Sequence, residues 1–220
     1  MLKYFLEINE NGGSLKTPGY VFFTVLILVF LLIAAVIGNK KGRRTISTKQ
    51  LSFCSICMAL AFALSFIKLF NAPMGGSITL MSTFFITFVG YLYGTYIGVI
   101  TGISYGLLQL IVGPYFVHPI QILVDYPLAF GALGLSGIFS NANHGLIKGY
   151  LLGITGRLFF SVLSGIVFFA SYAGDMNVFL YSFTYNFAYI GMEGVITVAI
   201  LMIPAVKSGL SQIKRIAAEV

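Results

Sequence analysis

Long apolar runs separated by short polar breaks dominate this chain, and their lengths predict helices rather than strands. Tyr20 to Gly38 is a run of nineteen mostly aliphatic residues, enough for about 28 Å of helix at 1.5 Å per residue. Residues 1–19, with Asn11-Gly12-Gly13 and Thr17-Pro18, read as a loop. Beyond a basic segment, six further spans are predicted at about 50–69, 78–93, 95–112, 119–139, 147–171 and 179–206. The breaks have local causes. Residues 71–76 (NAPMGG) form a turn, Gly113-Pro114 another, residues 141–145 a polar loop, and Gly174 to Asn177 closes the last hairpin.

Composition agrees with the pattern. The chain is 58% hydrophobic and 9% charged, with a mean hydropathy of +0.96, against about 25% charged residues in a soluble domain. The expected fold is all-α: a polytopic membrane protein of six core helices preceded by one extra N-terminal transmembrane helix. Residues 1–49 then form the N-terminal segment, 50–206 the membrane domain and 207–220 a C-terminal tail. The net charge of +7 is no nucleic-acid footprint, because Lys40, Lys41, Arg43, Arg44 and Lys49 cluster between apolar runs. That is the signature of a cytoplasmic loop at a lipid surface. It orients the chain with its N-terminus outside and its C-terminus cytoplasmic, and Lys148, Lys207, Lys214 and Arg215 then fall inside as well. The uncharged balance of residues 1–19 and the basic cluster after the first span argue against a cleaved signal. Cys54 and Cys57, with no second Cys or His pair, read as reduced thiols inside a membrane helix.

Between Gln50 and Pro204 only six side chains are charged, and Asp125, Arg157 and Glu193 lie within apolar spans. A charge at the centre of a membrane helix costs about 2.5–3.5 kcal/mol even on lenient insertion scales. Counting from helix ends places Arg157 and Glu193 at a similar depth, about 21 Å from the outer surface. They are expected to form a structural ion pair. Asp125 lies only about 9 Å deep, without an obvious cationic partner. Gln121, Tyr126, Tyr181, Tyr185 and Asn186 surround it at comparable depth. A carboxylate among aromatic rings suits a cationic, ring-containing small molecule. The alternative is a carboxyl that is protonated or bonded to a helix neighbour. Glycines at 90, 94, 98, 102 and 106, and the small residues Ala59, Ala61 and Ala63, mark places where backbones approach, either within the chain or against a partner.

Catalysis finds no support. His118 and His144 fall at opposite helix ends, too far from a deep serine for nucleophilic chemistry. A zinc motif and a phosphate-binding P-loop are both missing. The chain is therefore read as a non-enzyme without cofactor or metal, and any energy for transport must come from elsewhere. Repeated halves and broken midplane helices, the usual marks of a secondary carrier, are not evident.

From about Gln50 onward the chain resembles the thiamine-specific S components (the ThiT or YuaJ group) of energy-coupling-factor (ECF) vitamin transporters. The likeness is carried by CMALAFALSFI, GVITGISYGLLQLIVGPYFVHPIQILVDYPLAFGALGLSGIF, GRLFFSVLSGIVFFASYAG and FLYSFTYNFAYI, in this order. The resemblance implies a six-helix substrate-binding subunit that works with a transmembrane coupling subunit and two ATPase subunits in the cell membrane. It implies that Ala59 and Ala63 pack against the coupling subunit, and that Asp125, Tyr126, Tyr181 and Asn186 contact a thiamine-like ligand. The chain departs from the family pattern in having Asp rather than Glu at 125, Ser161 in place of a His, Phe169 in place of a Trp, and no Trp anywhere. The alternatives are an S component for a different vitamin and a stand-alone secondary carrier.

Overall fold

The computed structural model describes residues 6–9, 12–18, 21 and 46–218. The expected first span at 20–38, apart from Val21, and the cluster Lys40 to Arg44 lie outside the described residues. Near the N-terminus, where a loop is expected, β1 (Leu6–Asn9) pairs antiparallel with β2 (Gly12–Leu15).

Helix α1 (Thr48–Ser65) begins at a capping box: Ser47 Oγ accepts from Gln50 N, and Gln50 Oε1 accepts from Ser47 N, both at 3.1 Å. Two otherwise orphaned amides are thereby satisfied at the helix start. The chain then leaves the helix four residues before the expected end of this span. A small hairpin follows, of β3 (Lys68–Asn71) and β4 (Ser77–Thr79), joined through a 3-10 turn at Pro73–Gly75. Helix α2 (Ser82–Tyr93) has only twelve residues, about 18 Å, too short for a bilayer core of about 30 Å.

Helices α3 (Thr95–Val112), α4 (Pro119–Phe139), α5 (Gly145–Phe168) and α6 (Val178–Leu201) are each long and apolar enough to cross a membrane, as is α1. Exposed Phe159, Phe187 and Val195 on their outer faces would be a liability in water and are ordinary in lipid. Cys54 and Cys57 are buried in a cluster with Phe84, Phe88, Tyr150 and Ile190, and both are free thiols. The last span stops at Leu201 rather than at 206, because Pro204 cannot continue the helix and instead starts another. Most of the expected tail is therefore helix α7 (Pro204–Ala218).

Helix α4 is not uniform. Its segment Val124–Leu128 is a π-helical turn that contains Pro127, and its end, Leu133–Phe139, tightens to 3-10. Proline has no N–H and its ring crowds the carbonyl four residues earlier, so the helix opens by one residue there. Asp125 and Tyr126 sit on that bulge.

The glycine row on α3 serves internal packing. A Cβ at Gly102 would stand 2.3 Å from Phe130 O, and one at Gly106 would stand 2.4 Å from Tyr126 O. The two backbones thus touch directly, as small residues in membrane helices allow. Gly102→Ala should force α3 and α4 apart and cost about 1–3 kcal/mol, as overpacking does. Thermal unfolding of the detergent-solubilised protein measures this, and an unchanged melting point would show that the seam can yield.

Candidate functional site: a polar cavity at one end of the bundle

A cavity of about 200 Å³ opens between the β3–β4 hairpin, the α3–α4 loop and helices α4, α5 and α6. That volume is below the roughly 300–1,000 Å³ of drug-sized sites, so it restricts the occupant to a small solute. Gln121, Asp125, Tyr126, Ser161, Phe169, Tyr181, Tyr185 and Asn186 all line it, and so does Arg157.

The bulge in α4 aims its acid through a fixed relay. Val117 N donates to Gln121 Oε1, and Gln121 Nε2 donates to Asp125 Oδ2, both at 2.8 Å. Because the backbone amide occupies the Gln121 carbonyl, its amino group must face Asp125. Among the described residues no cationic side chain lies within salt-bridge distance of Asp125. The carboxyl thus bonds to a helix neighbour, as the structural alternative expected, and it also walls the cavity.

Helix α6 contributes a stripe at helical spacing. Asn186 Nδ2 donates to Ser161 O (3.2 Å) and Ser182 O (2.8 Å), while its Oδ1 accepts from Tyr189 Oη (2.8 Å). Asn186 therefore ties α5 to α6 and orients Tyr189. Tyr185 Oη donates to Pro73 O and accepts from Gly76 N (3.2 Å). One phenol fastens the hairpin across the cavity. Tyr181 stacks on Tyr185, with centroids 6.4 Å apart.

Phe169 faces Tyr115, their rings 6.1 Å apart and inclined by 18°. Tyr115, in the α3–α4 loop, also packs against Gly75 of the hairpin. Burial, then neighbouring Tyr172, pushes its phenol up to about 12, so it stays neutral. The chain has no Trp, and this tyrosine supplies an aromatic wall that no periodicity announces. Tyr105, Gln109, Ser164 and Tyr189 also line the cavity. The spacings Tyr105/Gln109, Ser161/Ser164 and Tyr185/Tyr189 are three or four residues, a helical polar stripe that could have revealed them. Ser164 Oγ is buried, with no hydrogen-bond partner within normal distance among the described residues.

Arg157 Nη1 lies 4.0 Å from Glu193 Oε2, and the side chains are 14% and 2% exposed. Glu193 has closer partners. Its Oε1 accepts from Thr83 N (3.2 Å), Thr83 Oγ1 (2.8 Å) and Ser82 Oγ (3.4 Å). It thus sits as an anion at the N-terminus of α2, where unpaired amides and the helix dipole favour negative charge. The Arg157 guanidinium also stacks over Phe130, 4.7 Å from its centroid. Ala59 and Ala63 are exposed on the outer face of α1, away from the cavity, whereas Ala61 is fully buried and its carbonyl accepts from Tyr105 Oη (3.1 Å).

Apolar helices long enough to cross a membrane, with a small polar cavity at one end of the bundle, fit a transport protein that binds a small solute. The chain belongs to the thiamine transporter protein (Thia_YuaJ) family, whose profile matches residues 51–212, and the family's members are transport proteins, not enzymes. It is 32% identical over 146 residues to the thiamine transporter ThiT of Bacillus subtilis, covering 60% of this chain and 76% of that one. It is 31% identical over 103 residues to ThiT of Lacticaseibacillus paracasei, covering 39% and 51%. The structure of ThiT from Listeria monocytogenes superimposes with a TM-score of 0.57 at 26% identity, covering 69% of this chain and 92% of that one.

The geometry around Glu193 orders the costs of substitution. Glu193→Ala should destabilise by about 3–5 kcal/mol, the range for breaking a buried pair, because it strips α2 of its anion and leaves Arg157 unmatched. Arg157→Ala should cost less, since Glu193 keeps its α2 donors. Chemical unfolding of both variants in detergent tests the order, and a costlier Arg157→Ala would refute it.

Proposed function

We propose that this chain captures thiamine, or a closely related cationic heterocycle, from outside the cell and delivers it as the S component of an ECF-type transporter. The observation that carries the reading is Asp125: a carboxyl with no cation within salt-bridge distance among the described residues, held on the wall of a small cavity lined by aromatic rings. Such a wall matches a ligand that brings its own positive charge on a flat ring. The named activity of the relatives supports the same reading. Asp125, Tyr126, Gln121, Ser161, Phe169, Tyr181, Tyr185 and Asn186 are the proposed binding set. Asn186 acts within it by fixing the α5 and α6 backbones.

The cavity mouth lies at the opposite end of the bundle from Lys49, Lys148 and α7. The positive-inside rule makes that basic end cytoplasmic and turns the cavity outward. On this reading the small outer face of α1 at Ala59 and Ala63 takes the coupling subunit, and two ATPase subunits supply the energy.

Asp125→Asn keeps the shape of the side chain and removes its charge. Thiamine binding, followed by calorimetry on the purified protein, should weaken by about 1.5–3 kcal/mol, the worth of a hydrogen bond to a charged group. Unchanged affinity would assign the carboxyl to the α4 relay alone. Ala63→Trp should leave calorimetric binding intact and stop uptake, because an indole blocks close approach of helices. Normal uptake by that variant, or uptake without any ATPase subunit, would point instead to a stand-alone carrier.

A further inference from the structure

Helix α7 follows α6 after only two residues, and α6 is long enough to cross a membrane, so α7 starts at a membrane boundary. One side of it is already used. Val206 and Leu210 pack on the core cluster containing Cys54 and Cys57. Lys214 Nζ donates to Ser140 O (2.6 Å) and lies 4.1 Å from the centroid of the Tyr91 ring, anchoring the helix across the end of the bundle. At 100° per residue, Ile213, Gly209 and Ile216 continue the buried face around one flank. That flank is uncovered: Ile216 is 50% exposed and Ile213 37%, and Met202, at the turn before the helix, is 67% exposed.

The charges beside it have one sign. Residues 204–218 contain Lys207, Lys214 and Arg215 and no acid. Lys49 and Lys148 begin α1 and α5 at the same end. The described acids of the bundle are elsewhere: Asp125 at the cavity, Glu193 buried at α2, and Asp175 in the loop at the opposite end. At the same spacing Lys207 and Arg215 fall on the polar side of α7, across the helix from Ile213 and Ile216. An apolar side opposed by a cationic one, at a membrane boundary, is the arrangement of helices that lie in a lipid headgroup layer.

We infer that α7 is an interfacial helix that binds anionic phospholipid, seating Met202, Ile213 and Ile216 among the acyl chains while Lys207 and Arg215 meet the phosphates. This assignment stands apart from the cavity and from the identity of its ligand.

The chain contains no Trp, so a single introduced indole is the only one that emits. Ile216→Trp and Ser211→Trp would be reconstituted in mixed phosphatidylcholine–phosphatidylglycerol vesicles in which one lipid or the other is brominated. Ile216→Trp should emit to the blue of Ser211→Trp and be quenched more strongly, and Ile213→Trp provides a second reporter on the same flank. Lys207→Gln and Arg215→Gln, introduced beside the reporter, should each lower the preference for phosphatidylglycerol over phosphatidylcholine by about fivefold. Water-like, unquenched emission from both flank reporters would overturn the inference. So would a change seen only when a coupling protein is added, since that would give the flank to a protein partner. Equal quenching by both lipids would remove the anionic recognition.

Discussion

Direct backbone contact between α3 and α4 is the constraint on which the cavity depends. Gly102 and Gly106 leave no side chain between the helices, so α4 is held at a fixed height and rotation against its neighbour. Only with that rotation fixed does the proline-opened turn at Val124–Leu128 present Asp125 and Tyr126 to the cavity rather than to lipid. A wider seam would let the bulge turn, and the acid would lose both the cavity and the Gln121 amide. The glycines contribute nothing to ligand chemistry themselves. They set the geometry in which it occurs.

Two acids within membrane helices, Glu193 and Asp125, are accommodated in different ways, and the difference separates architecture from binding. Glu193 collects three donors at the start of α2 and has Arg157 at 4.0 Å. Its charge is met several times over, so its removal is a matter of stability. Among the described residues Asp125 receives one side-chain hydrogen bond within normal distance, from Gln121, and no cation within salt-bridge distance. A carboxyl satisfied so sparingly in a poorly solvated place is where an incoming positive charge gains most. Arg157 bridges the two arrangements, since it pairs with Glu193 and also lines the cavity floor with Phe130.

Much of this was legible in the sequence because bilayer thickness imposes long apolar runs, and a run of eighteen or more residues reads plainly. Depth counting along such runs set Arg157 and Glu193 level, and their charged groups lie 4.0 Å apart. The losses came where the signal is short or its period differs. The strands Lys68–Asn71 and Ser77–Thr79 span four and three residues, too few for an alternating pattern to register. Helix α7 was hidden by its mixed polarity, although Val206, Leu210, Ile213 and Ala217 follow helical spacing after Pro204. Tyr115 belongs to a loop, where no periodicity exists to report it. The committed hydrogen bonds of Asn186 are tertiary facts: residue type shows that it can bond, and only the fold shows that α5 has already claimed it.

The two ends of the bundle are built for different solvents. At one end a phenol, Tyr185, ties the hairpin over the cavity through two backbone groups, and each such bond contributes only about 0.5–1.5 kcal/mol net. The hairpin has short strands and exposed β3 residues, and it buries little of its own. Its closure is therefore a small free-energy difference, of the size that a few contacts with a bound solute can match. At the other end α7 is anchored by packing of Val206 and Leu210 and by Lys214 on Ser140 and Tyr91, a larger and mostly apolar attachment. On the proposed function the loosely fastened element stands where solute enters, and on the proposed lipid contact the firmly fastened one meets the headgroup layer. A binding subunit needs that asymmetry, because exchange at the cavity must leave the rest of the bundle in register.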